Sequence, residues 1–177
     1  MNRSVLSIGA RFDLQVEFST LIEARGAVAA VDVLDAVVAP LDPLDAALLD
    51  AAPEDRAWVV FKRWTADGLP VVVAKDVIPL PPAADPADLD PEQSLFESVQ
   101  AVFGREAEWE VCRPGAVLAG RERAGALGIT KSDPLLELTL VGVARTGQSL
   151  YIAREHHVPG WFDYGFVRNV RGSSLPG

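Results

Sequence analysis

The sequence predicts an α+β domain in which helices pack over one antiparallel sheet. Three observations carry that expectation. Runs rich in β-branched and aromatic residues are joined by tight turns at Ala66-Asp67-Gly68 and at Thr146-Gly147-Gln148, and strands joined so closely are antiparallel neighbours. The chain also matches itself. Slid by 79 positions, Trp58 to Pro79 falls on Glu137 to Val158, Gly68 lands on Gly147, and the Ala-Lys-Asp at 74–76 lands on the Ala-Arg-Glu at 153–155. Finally, each half interleaves two short helical segments with three strand-like runs, giving the order α-β-α-β-β twice over.

Each element has a local cause. The first helix is expected over Ser19 to Arg25, where Gly26 stops it, because glycine readily takes the left-handed conformation that ends helices. The run AVAAVDVLDAVV that follows is strand-like. In DPLDAALLD, Asp42 supplies an N-cap and Pro43 sits in the first turn, where its missing N–H costs nothing. The hairpin then closes the first half. The joining piece PLPPAADPADLDPEQ, Pro79 to Gln93, is expected to be a surface loop leading into a helix over Pro91 to Phe103, capped by Asp90 and stopped by Gly104. AEWEVCRPGAV is the next strand, GRERAGALG the next short helix, and the second hairpin ends the unit. Neither half has enough strands to stand alone, so the two form one domain.

Composition bounds the function. The chain has 177 residues, enough for a single core, and 49% of them are apolar while 23% are charged. Its net charge of −9 argues against this piece gripping nucleic acid, which calls for clustered Lys and Arg. The single cysteine, Cys112, rules out an internal disulfide and suits a reducing compartment. No apolar run has the length of a membrane span, and residues 1–10 lack the apolar core of a signal peptide, so a cytoplasmic location is expected.

Five stretches then carry a resemblance. FSTLIEARG, DGLPVVVAKDVIP, QSLFESV, ALGITKSDPLLELTLVG and TGQSLYIAREHHVPGWFDYGF occur in an order and spacing similar to the UTRA (UbiC transcription regulator-associated) domain, the effector-sensing half of HutC-type GntR transcriptional regulators. The match runs from about Phe12 to Phe166. The resemblance implies the chorismate-lyase-like fold, a cleft for a small metabolite that is anionic or zwitterionic, and a homodimer. In a complete regulator a winged helix-turn-helix precedes this domain and binds DNA. Here Met1 falls about where the linker would be, so the chain is expected to be an effector domain without that module. On this reading residues 1–11 are linker-like, 12–170 form the effector-binding domain and 171–177 are a tail. No metal, cofactor or membrane partner is implied.

Candidate ligand residues come from strand alternation combined with that resemblance. Residues two apart on a strand share a face. Lys62 and Trp64 therefore lie together on one strand, Val72, Ala74 and Asp76 on the next, and Tyr151, Ala153, Glu155 and His157 on the last. The slide equates Asp76 with Glu155, so both acids could face one cleft, or both could simply point to water. The family's pocket lies on this face. Its anion-binding helix starts correspond to Phe18, Ser19 and Thr20, and to Ser94. Ser19 could equally be an ordinary N-cap, and Ser94 an incidental first-turn residue behind the Asp90 cap. Lys62 would supply the countercharge. His156 and His157 are adjacent, hence on opposite faces, and cannot share a metal. Trp64, Tyr151 and Trp109 could wall the cleft or pack the core. Trp161, Phe162 and Tyr164 could form a lid or a dimer contact, while Cys112 is expected to be a small apolar filler.

Two departures from the family pattern bear on the ligand. Lys62 and Trp64 stand where many sugar-phosphate-sensing relatives have two arginines. Ala74 and Tyr151 stand where they often carry glutamate or its counterpart. A point charge and an indole thus replace rigid bidentate forks. A phosphosugar becomes doubtful, and a smaller acid or an amino-bearing metabolite facing Asp76 and Glu155 fits as well. The competing functions are a chorismate-lyase-like enzyme and a stand-alone metabolite-binding or dimerisation module. No nucleophile–base or metal constellation stands out to favour catalysis.

Overall fold

The computed structural model describes residues 10–11 and 17–165. The linker-like and tail segments expected at the two ends lie outside them, apart from Ala10 and Arg11. In chain order the elements are β1 (Ala10–Arg11), α1 (Phe18–Glu23), β2 (Ala29–Pro40), α2 (Pro43–Leu49), β3 (Arg56–Ala66), β4 (Leu69–Pro79), α3 (Leu95–Phe103), β5 (Trp109–Leu118), α4 (Gly120–Leu127), β6 (Pro134–Val143), β7 (Ser149–His157) and β8 (Tyr164–Gly165). The expected α+β architecture is the one observed. Six strands make one antiparallel sheet in the order β2-β3-β4-β7-β6-β5, and β1 pairs with β8 in a small parallel ribbon.

That order is the same from either edge. Each half contributes three consecutive strands, and the halves meet at β4 and β7, where Lys75 lies opposite Arg154. Those are two residues that the 79-position slide equates. Being central, β4 is covered on both sides, and Val71, Val72 and Val73 are all fully buried. This explains why the sequence there is a continuous apolar run rather than an alternating one. Burying each valine is worth roughly 1.5–3 kcal/mol relative to leaving it in water.

Helices cover both faces. Ile22 of α1 packs with Trp64, Val72 and Ala74, and Val99 of α3 packs with Trp58, Val60, Ile78 and Tyr151. On the other face Ala46 and Leu49 of α2 meet Ala57, Val77 and Ile152, while Ala124 and Leu127 of α4 meet Val73 and Leu135. A charge pair anchors α2: Arg154 on β7 reaches the buried carboxylate of Asp45, with Nη1 donating to Oδ2 at 3.2 Å and Nη2 donating to Oδ1. Among the described residues no helix is long and apolar enough to cross a membrane.

Two helix starts differ from expectation. In α3 the cap is Ser94, not Asp90. Ser94 Oγ accepts from the Glu97 amide at 3.3 Å, and the Glu97 carboxylate accepts from the Ser94 amide at 2.8 Å. This reciprocal capping box satisfies two otherwise unpaired donors, which a lone Asp at 90 could not do. Asp90 instead holds a separate turn, accepting from the Glu92 amide at 2.9 Å. In α1 the first helical carbonyl belongs to Glu17, whose backbone (φ −53°, ψ 135°) is not helical and which accepts from the Leu21 amide at 3.1 Å. Ser19 therefore lies inside the first turn and is not the N-cap. The start of α2 is as expected, with Asp42 accepting from the Leu44 and Asp45 amides at 2.8 and 2.9 Å.

One glycine on the sheet is structurally obligatory. Gly142 on β6 lies opposite Tyr151 on β7, and a Cβ at Gly142 would stand 2.1 Å from the tyrosine ring. The phenol lies across the bare backbone of β6. That lets its hydroxyl reach β5, where it donates to Glu110 Oε1 at 2.6 Å.

Candidate functional site

The sheet face beneath α1 and α3 gathers the polar groups. Strand register decides which ones meet. Lys62 on β3 is opposite Ala74 on β4, which is opposite Glu155 on β7. The ammonium and carboxylate stems therefore stand in one row with only an alanine methyl between them, about 10 Å apart at the backbone. Asp76 is one row along, between Val60 and Ala153. In the next row in the other direction Trp64, Val72 and His157 are aligned. Lys62, Asp76 and Glu155 project from this face around the small side chains at 74 and 153.

These groups are removed from bulk water. Lys62, Asp76 and His157 are 5%, 6% and 1% exposed. The Lys62 ammonium donates to the backbone carbonyl of Gln93, just ahead of α3. Asp76, by contrast, accepts no hydrogen bond from any described residue. Burial, then the neighbouring Glu155 charge, pushes the Asp76 carboxyl up to about 7, against the opposing pull of Lys62. Burial, followed by the Glu110 and Glu17 charges, pushes Glu155 up to about 8. Glu110 and Glu17 are themselves raised, chiefly by burial. Among the described residues the Asp76, Glu155 and Glu110 carboxyl groups, with the more exposed Glu17 beside them, thus surround one ammonium.

At its far end an aromatic cluster closes the site. The Phe18 ring meets Trp64 edge-on at 5.0 Å and His157 at 5.3 Å, and Phe162 and Tyr164 stand 5.9 and 5.0 Å from the imidazole. Burial drives His157 down to about 3, so the ring is neutral at ordinary pH. Its Nδ1 lies 2.9 Å from the Tyr164 hydroxyl and its Nε2 3.3 Å from Glu155 Oε2. A neutral imidazole has one N–H. These two contacts place the imidazole between the Tyr164 hydroxyl and the Glu155 carboxyl, one ring nitrogen donating and the other accepting. The arrangement can accept N–H donors at Asp76 and hold or release a proton at Glu155.

Of the residues singled out from the sequence, Phe18, Lys62, Trp64, Asp76, Tyr151, Glu155 and His157 come together here. Ser19 and Thr20 are in the first turn of α1, with Thr20 exposed, and that helix has only six residues. Ser94 adjoins Gln93, but its hydroxyl is occupied by Glu97 at 2.8 Å. Trp109 is 55% exposed on the edge strand β5 and takes no part. His156 faces the opposite side, buried and 3.0 Å from Glu137. Cys112 is not a fully buried filler. It is partly accessible, on the same face as the acids. Three participants are not signalled by the sequence, Glu17, Glu110 and the Gln93 carbonyl, while Tyr164, expected in a lid or a dimer contact, lies against His157. Among the described residues no group of three His, Cys, Asp or Glu is placed to hold a metal ion.

Comparison with known proteins agrees with this architecture. The effector domain of PhnF from Mycobacterium smegmatis superposes with a TM-score of 0.76 at 17% identity, over 90% of this chain and 99% of that one. PhnF from the same organism gives 0.77 at 16% identity, over 92% of this chain and 72% of that one. A GntR-family transcriptional regulator from Bacillus cereus gives 0.71 at 15% identity, over 80% and 99%. Identities this low speak for the fold alone. No curated protein matches the sequence. The UTRA domain model matches residues 24–162, most of the chain, and the protein belongs to the UTRA domain family.

Proposed function

We propose that this chain is the small-molecule effector-binding domain of a GntR-family, HutC-type transcriptional regulator, and that its effector sits on the sheet face beneath α1 and α3. One observation carries the reading: Lys62, Asp76 and Glu155, from three adjacent strands, share one face, and no described residue donates a hydrogen bond to Asp76 there. A buried carboxylate without donors is costly unless a ligand or a proton completes it. Phe18, Trp64, Tyr151 and His157 complete the binding face, with Ser19, Thr20 and Ser94 at its margin.

The effector acts by favouring one arrangement of α1 and α3 over another. α1 lies at the start of the domain, next to where a preceding winged helix would attach. A homodimer would supply the two-fold frame such regulators need, and apolar side chains exposed along the edge strands, Val31, Val37 and Val38 on β2 and Trp109 and Val111 on β5, are suited to a partner. A chorismate-lyase-like enzyme is disfavoured, because among the described groups facing Asp76 a single ammonium, Lys62, is offered to a dicarboxylate substrate. Pyruvate release from chorismate would restore that reading.

Thermal-shift screening tests the proposal. A metabolite at 100 times its Kd stabilises the fold by about 2.7 kcal/mol, a rise in Tm of roughly 5–10 °C for a domain of this size. Lys62→Ala should weaken binding of an acid-bearing effector by about tenfold or more, without unfolding the protein. Absence of any shift with acids, phosphates and amines at saturating concentration would leave a structural dimerisation module.

A further inference from the structure

We propose that the effector of this domain carries an ammonium group, seated between the carboxylates of Asp76 and Glu155. The inference rests on the effector-site reading above and narrows it to a ligand class, small alkylamine metabolites, with zwitterions included.

The first argument is the balance of charge. The groups facing Asp76 are Glu155 and His157 from β7, Lys62 from β3, Glu110 from β5 and Glu17 ahead of α1. Glu97 of α3 is exposed, its carboxylate committed to the Ser94 cap. His157 is neutral, so Lys62 is the one cation among these. Lys75 and Arg154 alternate onto the opposite face, where Arg154 is tied to Asp45. Among the described residues an incoming anion would meet four carboxyl groups, which it would hold in their protonated forms, and one ammonium. An incoming ammonium instead draws Asp76 and Glu155 into their ionised forms and so meets complementary charge.

The second argument is the unfilled valence. Asp76 is 6% exposed, yet the nearby lysine donates to the Gln93 carbonyl and not to it. Two carboxylate oxygens offer about four acceptor positions, and none is used by a described residue. An ammonium brings three donors in compact geometry. Glu155, in contact with His157, stands one row away on β7 and supplies the second acceptor. The indole of Trp64 and the ring of Phe18 lie on the same face and suit the alkyl part of such a ligand or its charge.

The third argument is what an acid group would find. Ser94 is already capping, α1 has six residues, and Lys62 is the one cation among the described groups facing Asp76. One carboxylate per ligand can therefore be accommodated beside Lys62, which makes a zwitterion acceptable and a dianion unfavourable.

The test uses the full chain and paired probes: ethanolamine, 4-aminobutyrate, glucosamine and lysine, each beside its N-acetylated counterpart, together with amine-free metabolite acids and phosphates. Tm and titration calorimetry are read for the natural protein, Asp76→Asn, Glu155→Gln and Lys62→Met. The expected result is stabilisation by an amine, loss of that effect on N-acetylation, and weakening by tenfold or more in Asp76→Asn or Glu155→Gln. An amine-free acid or phosphate that binds, and is undiminished by either carboxyl variant while Lys62→Met abolishes it, keeps the effector site and overturns the ammonium. A binder indifferent to all three substitutions, or no binder in any class, overturns the site itself and this inference with it.

Discussion

Replacing Asp76 with asparagine should stabilise the unliganded protein, and increasingly so as pH rises. Asparagine keeps the shape of the side chain and removes the charge. In the folded protein burial and Glu155 hold the Asp76 pKa at about 7, against 3.8 for an ordinary aspartate. Between those values the folded state binds a proton that the unfolded state has released. Stability contributed by the protonated group is therefore complete below about pH 4, drains away as pH rises, and is gone above about 7. A shift of that size corresponds to at most about 4 kcal/mol, and relaxation with water entry reduces the realised penalty to roughly 1–3 kcal/mol. His157 runs the opposite way. Its pKa is depressed to about 3, so its contribution grows as pH rises towards 6.5 and masks the aspartate in the natural protein's own curve. Comparing the two proteins by urea unfolding from pH 4 to 8.5 cancels the histidine. The stability gap should widen by roughly 1–3 kcal/mol between pH 4 and 7. Parallel curves, with no larger gap at pH 8 than at pH 4.5, would refute the claim that Asp76 is a buried carboxyl without a partner.

Three further substitutions probe the frame of the site. Gly142→Ala places a methyl group 2.1 Å from the Tyr151 ring; displacing the phenol should cost roughly 1–3 kcal/mol in chemical denaturation, and Tyr151→Leu on the same background should recover part of it. Arg154→Ala leaves the Asp45 carboxylate buried without its guanidinium, a loss of about 3 kcal/mol that should shrink when Asp45→Ala is added. Ser94→Ala removes one half of the α3 capping box and should lower stability by about 1 kcal/mol. If it instead changes effector affinity with stability intact, Ser94 is a ligand residue after all.

The fold was largely legible because its signals are local. Tight turns mark both hairpins, glycine marks the ends of α3 and α4, and an Asp-Pro pair marks the start of α2. The α3 start was misjudged for a physical reason that is also local. Asp90 and Ser94 are both good caps, and only Ser94 has a glutamate three residues on, at 97, to return the hydrogen bond. At α1 the signal itself is missing, since Glu17 makes no side-chain cap contact.

The site divides along a different line. Alternation on β3, β4 and β7 is enough to group Lys62, Asp76, Glu155 and His157, because each strand announces its own face. Glu110 is out of reach of that reasoning. It joins the cluster only because β5 is registered on β6 with Glu110 opposite Gly142, and because that glycine lets Tyr151 cross over to it. No pattern within β5 carries this information. The same holds for the direction of the Lys62 ammonium. A sequence offers one lysine and two acids on a shared face and invites the assumption that they neutralise each other. The fold gives the lysine a backbone carbonyl instead, and this diversion is what leaves Asp76 without a donor among the described residues.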